Sequence, residues 1–365
     1  MAISIAILGA SGSVGTALGA HLLRSGLLEP QDRLQLVGHG NPKSDARLLA
    51  TRIDLLDAFD DSRVEIEVVP QIADLDADIV VIASGVGISP QCTNRRDMGA
   101  RNLDLFYEIA ERCAAHVPDS LFIVVSNPVE LAVQILCEKL DRKRVVGMGA
   151  QQDSLRFARA IAKNLGVSRH QVRATVLGEH GLGMVPIWSS VELTTPQKEA
   201  GAALEMLRKT SEQIDLRERV AFLQKSVVPL LENEKIAEAY EATRQALPDA
   251  RIFIEPFITT HCMRSTPNAT ANATLHIIAA ALVDDHRRIH GQVMLEGECF
   301  GVHGAFGIPI ALDRRGWIQR PMEILSMSPL ENAMIEDSAR SIRRFLDDVT
   351  AKGQTGHSLE LPNLQ

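Results

Sequence analysis

The chain has 365 residues, enough for two domains rather than one. Hydrophobic residues make up 45% and charged residues 23%, which excludes a disordered or fibrous chain and supplies a sizeable core. The formal net charge of -8 argues against nucleic acid or an anionic membrane as a partner, and leaves room only for a local basic pocket.

The first seven apolar positions, AISIAIL at 2–8, are rich in β-branched residues and stop at a glycine cluster. An amphipathic stretch, VGTALGAHLLRSG, follows, so the order reads strand, tight turn, helix. The opening lacks a basic n-region, and no secretory leader is expected. Further strands are predicted at Arg33–Val37, 64–69, 77–84 and 121–126, with helices at 97–115 and 129–140 between them. Short buried strands alternating with helices imply an α/β fold, a doubly wound parallel sheet of Rossmann type over 1–150.

After about residue 150 the pattern changes. A long helix is predicted at 153–166, short mixed strands near 171–178 and 289–300, and helices at 265–288 and 329–350. A second, catalytic α+β domain is expected over 151–355, with a polar tail at 356–365 that frays. No stretch approaches the roughly 20 apolar residues of a membrane span. The five cysteines, Cys92, Cys113, Cys137, Cys262 and Cys299, form no CxxC pair, as expected of a reduced, cytoplasmic chain. No metal site is expected.

Gly9, Gly12 and Gly15, with Ser13 and Val14, form a GAxGxxG loop directly after the first strand. Such a loop needs one glycine for the turn, one for close backbone approach to a pyrophosphate and one for helix–strand packing. A dinucleotide site is therefore predicted, against the alternative of an ordinary strand-to-helix turn. The second strand is where an acid usually receives the ribose 2′-hydroxyl. Here Gly38 stands in that place, followed by His39, Lys43 and Ser44. An NAD(P) cofactor is expected, leaning to NADP, because an acid would repel a 2′-phosphate and these donors would receive it.

Four segments carry the chemistry: Arg95-Arg96-Asp97 with Asn102, Ser126-Asn127-Pro128-Val129, Asp153-Ser154-Leu155-Arg156, and Gly178-Glu179-His180-Gly181. Oxidation of a secondary alcohol needs a base for the hydroxyl proton, and the reverse needs an acid; a histidine serves both. Asp153 is the candidate that orients His180. Arg156, one helical turn after Asp153, offers a bidentate grip for a carboxylate. Arg95, expected on a mobile loop, could polarise the carbonyl.

With these four motifs in this order, the chain resembles the lactate/malate dehydrogenases over nearly its whole length. ATANATLHIIAAALVDD and VMLEGECFGVHGAFGIPIAL extend the similarity. The resemblance implies hydride transfer between NAD(P) and a small 2-hydroxy or 2-oxo acid, in a homo-oligomer (dimer or tetramer). It implies catalytic roles for His180, Asp153 and Arg95, and substrate contacts from Arg156, Asn127 and Thr266. It also implies cofactor contacts from Ser84, Gly85, Asn102, Ser126 and Asn127. Three departures stand out. The position that receives a second carboxylate in malate enzymes falls on Ser89 or Ile88, neither cationic, with Arg96 the nearest substitute. Leu182-Gly183 replaces the family's Asp-Ser after the histidine motif. A helical insertion near 210–262 could line the substrate pocket or build an interface, and is expected first of all to decorate the surface. Two other functions share the fold: a NAD-dependent glycosidase with a Cys/His-held metal, and a non-catalytic NADP(H)-binding regulator.

Overall fold

The computed structural model describes residues 2–38, 41–87, 95–195, 198–283, 287–319 and 327–355, with side chains to 351. Its first half alternates strand and helix. The elements are β1 (Ser4–Leu8), α1 (Ser13–Ser25), β2 (Arg33–Val37), α2 (Pro42–Ala58), β3 (Glu65–Val69), β4 (Ile79–Ile82), α3 (Arg95–His116), β5 (Leu121–Val124), α4 (Val129–Cys137) and β6 (Val145–Gly147). These six strands run parallel in the order β3-β2-β1-β4-β5-β6. β1 is buried at every position, as a central strand covered on both faces must be. Its alternation divides two cores: Ile5 and Ile7 face one, Ala6 and Leu8 the other. Ile79 and Val81 against Val80 and Ile82 repeat the division in β4. The strand order reverses between β1 and β4, which opens a crevice at the carboxyl ends of these strands.

The second half holds α5 (Gly149–Leu165), β7 (Val172–Gly178), β8 (Met184–Leu193), α6 (Lys198–Ser211), α7 (Leu216–Glu232), α8 (Ile236–Thr243), α9 (Pro248–Met263), α10 (Pro267–Val283), β9 (Ile289–Glu296), β10 (His303–Asp313), β11 (Gly316–Gln319) and α11 (Pro329–Thr355). β7 to β11 pair antiparallel, and β9 joins β6 at one register point, Gly147 opposite Gln292. α10 packs on α1 and so ties the two halves together. No described helix is long and apolar enough to cross a membrane.

Most of the predicted elements are present, and several differ. The helix predicted to open at Asp153 begins at Gly149, which puts Asp153 in its second turn. Among the strands, β6, β8, β10 and β11 were not anticipated; β6 has three residues, too short to show a period. The insertion is not mere surface decoration. α7, α8 and α9 share a small core of Val227, Leu231, Ala239, Ile254 and Ile258. Ile252 of α9 belongs to the core of α5, β7 and β8, beside the edge-to-face pair Phe157–Trp188 at 5.1 Å. Buried Asp249 accepts from Trp188 Nε1 at 2.8 Å and from two nitrogens of Arg219 at 2.5 and 2.9 Å, pinning α9 to β8 and α7.

Candidate active site

The turn after β1 needs glycine for a steric reason. At Gly9 φ is +84°, and a Cβ there would lie 2.7 Å from the Ala83 carbonyl oxygen. At Gly15 a Cβ would lie 2.3 Å from the Gly9 carbonyl oxygen, so α1 could not approach the strand end. The loop thus forms a shallow backbone cradle. No side chain caps the amides that begin α1, leaving them directed at the crevice.

From this cradle a cleft of about 680 Å³ runs to His180. Gly12, Ser13, Val14, Ser84, Gly85, Ser126, Asn127, Asp153, Arg156, His180, Arg95 and Thr266 all line it. Four segments far apart in sequence therefore meet in one cavity. α5 carries Asp153 and Arg156 on the same face. His180 Nδ1–H donates to Asp153 Oδ2 at 2.7 Å, and Arg156 Nη1 donates to Asp153 Oδ1 at 3.1 Å. Asp153 is 1% exposed, so both its oxygens are committed in a dry setting. The imidazole lies against the start of α5, where a Cβ on Gly149 would be 2.4 Å from His180 Cγ. Arg156 Nη2 also donates to Thr266 Oγ1 at 3.2 Å. Burial pulls the Arg156 pKa below its usual value, while Asp153 beside it pushes the other way.

Arg95 differs from expectation. It is the first residue of α3, and its guanidinium bridges Glu130 and Glu179. It sits 4.7 Å from the Phe345 ring centroid and donates to the His180 carbonyl oxygen at 3.4 Å. Fully buried Glu130 also accepts the His180 backbone N–H at 2.6 Å. Arg95 is therefore held beside His180 by two carboxylates. Gly183 explains one departure from the family: a Cβ there would lie 2.1 Å from Glu179 Oε2, so the residue makes room for that carboxylate. Leu182, 84% exposed, stands at the cleft rim.

Other expected residues fall elsewhere. Asn102 is fully buried and does not line the cleft. Its side chain accepts from Val86 N at 2.7 Å and donates to the carbonyls of Val86 at 3.0 Å and Asn127 at 2.8 Å, acting as a strut. Ser126 Oγ donates to the Ile82 and Ser84 carbonyls at 3.0 and 2.5 Å, fixing the ends of β4 and β5. Arg96, the suggested substitute for a second carboxylate grip, pairs instead with Asp348 of α11 and is absent from the cleft lining. Gly38 lines a separate cavity of about 160 Å³ with Ser84 and Leu8. Lys43 and Ser44 lie in the first turn of α2, whose cap is Asn41. Beside them is a residue that sequence reasoning missed: a Cβ on Gly38 would be 3.1 Å from Asp45 Oδ1, an oxygen buried without a hydrogen-bond partner. An acid thus returns next to the acid-free strand end. His39, Ser89, Ile88 and the tail at 356–365 lie outside the described residues.

Also unforeseen are the residues that the insertion brings. Ile252, Phe253, Pro256, Phe257, Thr260 and His261 of α9 line the cleft, with Arg264 just beyond. Their spacing is one helical stripe, apolar at its start and polar at its end. Among the described residues no group of three or more His, Cys, Asp or Glu could hold a metal ion.

Two family models match the chain: lactate/malate dehydrogenase, NAD binding domain, at residues 3–147, and lactate/malate dehydrogenase, alpha/beta C-terminal domain, at 151–234. The second match ends inside the insertion, just after α7. A malate dehydrogenase of Syntrophotalea carbinolica is 30% identical over 278 residues, 75% of this chain and 77% of that protein. An L-2-hydroxycarboxylate dehydrogenase (NAD(P)(+)) of Methanocaldococcus jannaschii is 32% identical over 196 residues, 52% of this chain and 60% of that protein. Among solved structures, the minor L-lactate dehydrogenase of Enterococcus mundtii aligns with a TM-score of 0.74 at 23% identity, covering 95% of this chain and 98% of that one, which speaks to the fold.

Proposed function

The chain belongs to the lactate/malate dehydrogenase family, and from that premise we propose that it interconverts a small 2-hydroxy acid and its 2-oxo acid with NAD(P). The observation that carries this reading is one cleft holding the glycine cradle at one end and the His180–Asp153–Arg156 cluster at the other. The cradle fits a dinucleotide: Gly12, Ser13 and Val14 line it, and a Cβ at Gly9 or Gly15 would strike the backbone behind the loop and force it out of this shape. Gly12, Ser13 and Val14 would hold the pyrophosphate, with Ser84, Gly85 and the 126–127 turn beneath the rest. A bound nicotinamide supplies the hydride chemistry.

The chain's own residues handle proton and position. Asp153 holds Nδ1–H of His180, which leaves Nε2 to take the hydroxyl proton in oxidation and return it to the carbonyl oxygen in reduction. The Asp153 charge stabilises the imidazolium in between. Arg156 has donors beyond those given to Asp153 and Thr266, and they suit the substrate carboxylate. Arg95, clamped by Glu130 and Glu179, holds the His180 backbone in place, and Asn127 faces the same space.

Substrate preference follows the cleft's outer wall. Phe253, Pro256 and Phe257 are apolar, and no cation occupies sequence positions 88–94. This supports a 2-oxo acid with one carboxylate over a dicarboxylate. For the cofactor, Gly38 in place of an acid supports NADP(H), with Lys43 and Ser44 close by; Asp45 is the opposing charge. A domain boundary near 150, a homo-oligomer and a cytoplasmic setting complete the reading. The glycosidase and regulator alternatives gain no support from the matches. The test is a panel of mono- and dicarboxylic 2-oxo acids with NADH and NADPH, followed at the nicotinamide absorbance. His180→Asn is expected to lower kcat by about 10²–10⁴. Silence across the panel, or an unchanged kcat, would refute the reading.

A further inference from the structure

Among the described residues five basic side chains line the cleft: Arg95, Arg156, His180, His261 and Arg264. The first three are engaged with carboxylates. Arg264 is different. Among the described residues it has no carboxylate partner, and it is exposed at the C-terminal end of α9. Its backbone is left-handed, φ +62°, a conformation that glycine adopts freely and an L side chain rarely does. Glycine could replace the arginine here without strain.

Its surroundings indicate what that side chain meets. The next residue, Ser265, brings its Oγ within 3.4 Å of Ser13 Oγ, on the glycine loop itself. His261 stands about one turn earlier on the same stripe of α9. Across from them lie the uncapped amides that begin α1. Among the described residues the only acid lining the cleft, Asp153, is already bonded to His180 and Arg156. The cradle end of the cleft is thus cationic on both sides: backbone dipole from α1, side-chain charge from α9.

We propose that Arg264, delivered by the insertion helix, is a second contact for the dinucleotide pyrophosphate, closing over it from the side opposite the glycine loop. The inference rests on the dehydrogenase reading and adds to it a cofactor residue outside the Rossmann half.

The test uses ADP-ribose, which keeps the pyrophosphate and lacks the nicotinamide, and adenosine, which lacks both. Binding of each to the full chain is measured by titration calorimetry. Arg264→Gly preserves the left-handed turn and removes the charge; Arg264→Lys restores a charge. ADP-ribose is expected to bind about 10- to 100-fold more weakly to R264G, the range for one lost charge-assisted bond, with part of the loss recovered in R264K. Adenosine affinity should change less than twofold. The salt dependence of ADP-ribose binding should be shallower in R264G. Its melting temperature should equal or exceed that of the parent, so weaker binding would not reflect a damaged fold. Equal ADP-ribose affinity in parent and R264G overturns the proposal. So does a raised KM for the oxo acid with unchanged dinucleotide affinity, which would assign Arg264 to the substrate. A parent chain that binds neither ADP-ribose nor NADH would overturn the dehydrogenase reading beneath it.

Discussion

Two buried carboxylate clusters flank His180, and they use arginine in opposite ways. On the α5 side, one carboxylate, Asp153, serves both an imidazole and a guanidinium, so Arg156 keeps donors to offer. On the α3–α4 side, two carboxylates, Glu130 and Glu179, converge on one guanidinium, and Arg95 is held fast against the Phe345 ring. The first cluster grips the side chain of His180; the second grips its backbone, through Glu130 at the N–H and Arg95 at the carbonyl. A cluster short of negative charge is poised to bind an anion. A cluster rich in it fixes geometry.

The comparison can be broken most sharply at Asp153. Asp153→Asn is expected to lower kcat by about 10²–10⁴, because the imidazole loses both its orienting partner and its counter-charge. A fall below tenfold in steady-state assays would contradict the role. Next is Arg156→Lys, which keeps a charge and loses the fork. The kcat/KM for the oxo acid is expected to fall about 100-fold, with NADH affinity unchanged by fluorescence titration. Glu130→Gln removes one of the two charges on Arg95 but keeps an acceptor for His180 N–H. About tenfold in kcat, with little change in cofactor binding, is expected if the cluster acts by positioning. A larger loss than in R156K would invert the ranking of the two clusters. For cofactor choice, Asp45→Asn is expected to lower the NADPH KM several-fold relative to NADH, since it removes a like charge near a 2′-phosphate. No change in the ratio would place the adenosine end elsewhere.

The smallest effect near neutrality lies beneath the active site. His290 is fully buried between Gln151 and Thr175, and burial lowers its pKa from 6.5 to about 3. The native state leaves it neutral where the unfolded chain would protonate it. Stability is therefore complete above pH 6.5 and is lost as the pH falls toward 3, by about 1.4 kcal/mol for each unit. Urea denaturation of His290→Gln between pH 7 and 5 should show a flatter slope than the parent; parallel slopes would exclude His290 as a source of acid lability.

The first cluster was legible in the sequence because each member sits in a motif whose chemistry requires it: a histidine between glycines, an acid and an arginine one helical turn apart. The glycine loop was legible for the same reason, since close backbone approach leaves no other residue. The second cluster was not. Arg95 was read as a loop residue because nothing local announces Glu130 as its partner. The signal was there in part, as Glu130 is the lone charge in the apolar run VELAVQILC. A charge in such a run is buried only when paired, but pairing across segments is a tertiary fact. Asp45 was passed over because the strand-end rule looks at one position, and α2 folds a carboxylate back to it from seven residues on. The insertion was misjudged because its period describes a helix without saying what the apolar stripe faces.

That insertion has a thermodynamic consequence. α8 meets its neighbours through a small core and the Tyr240–Thr259 hydrogen bond, whereas α9 is also fastened to α7 through Arg219–Asp249 and to α5 through Ile252, the Arg159–Glu255 pair and the bond from Arg251 to Asn164. Amide protons of α8 should exchange with solvent by brief local openings that leave α9 in place, and those of α9 only by rarer, larger ones. The outer helix can then breathe while the wall that faces the reactants stays shut.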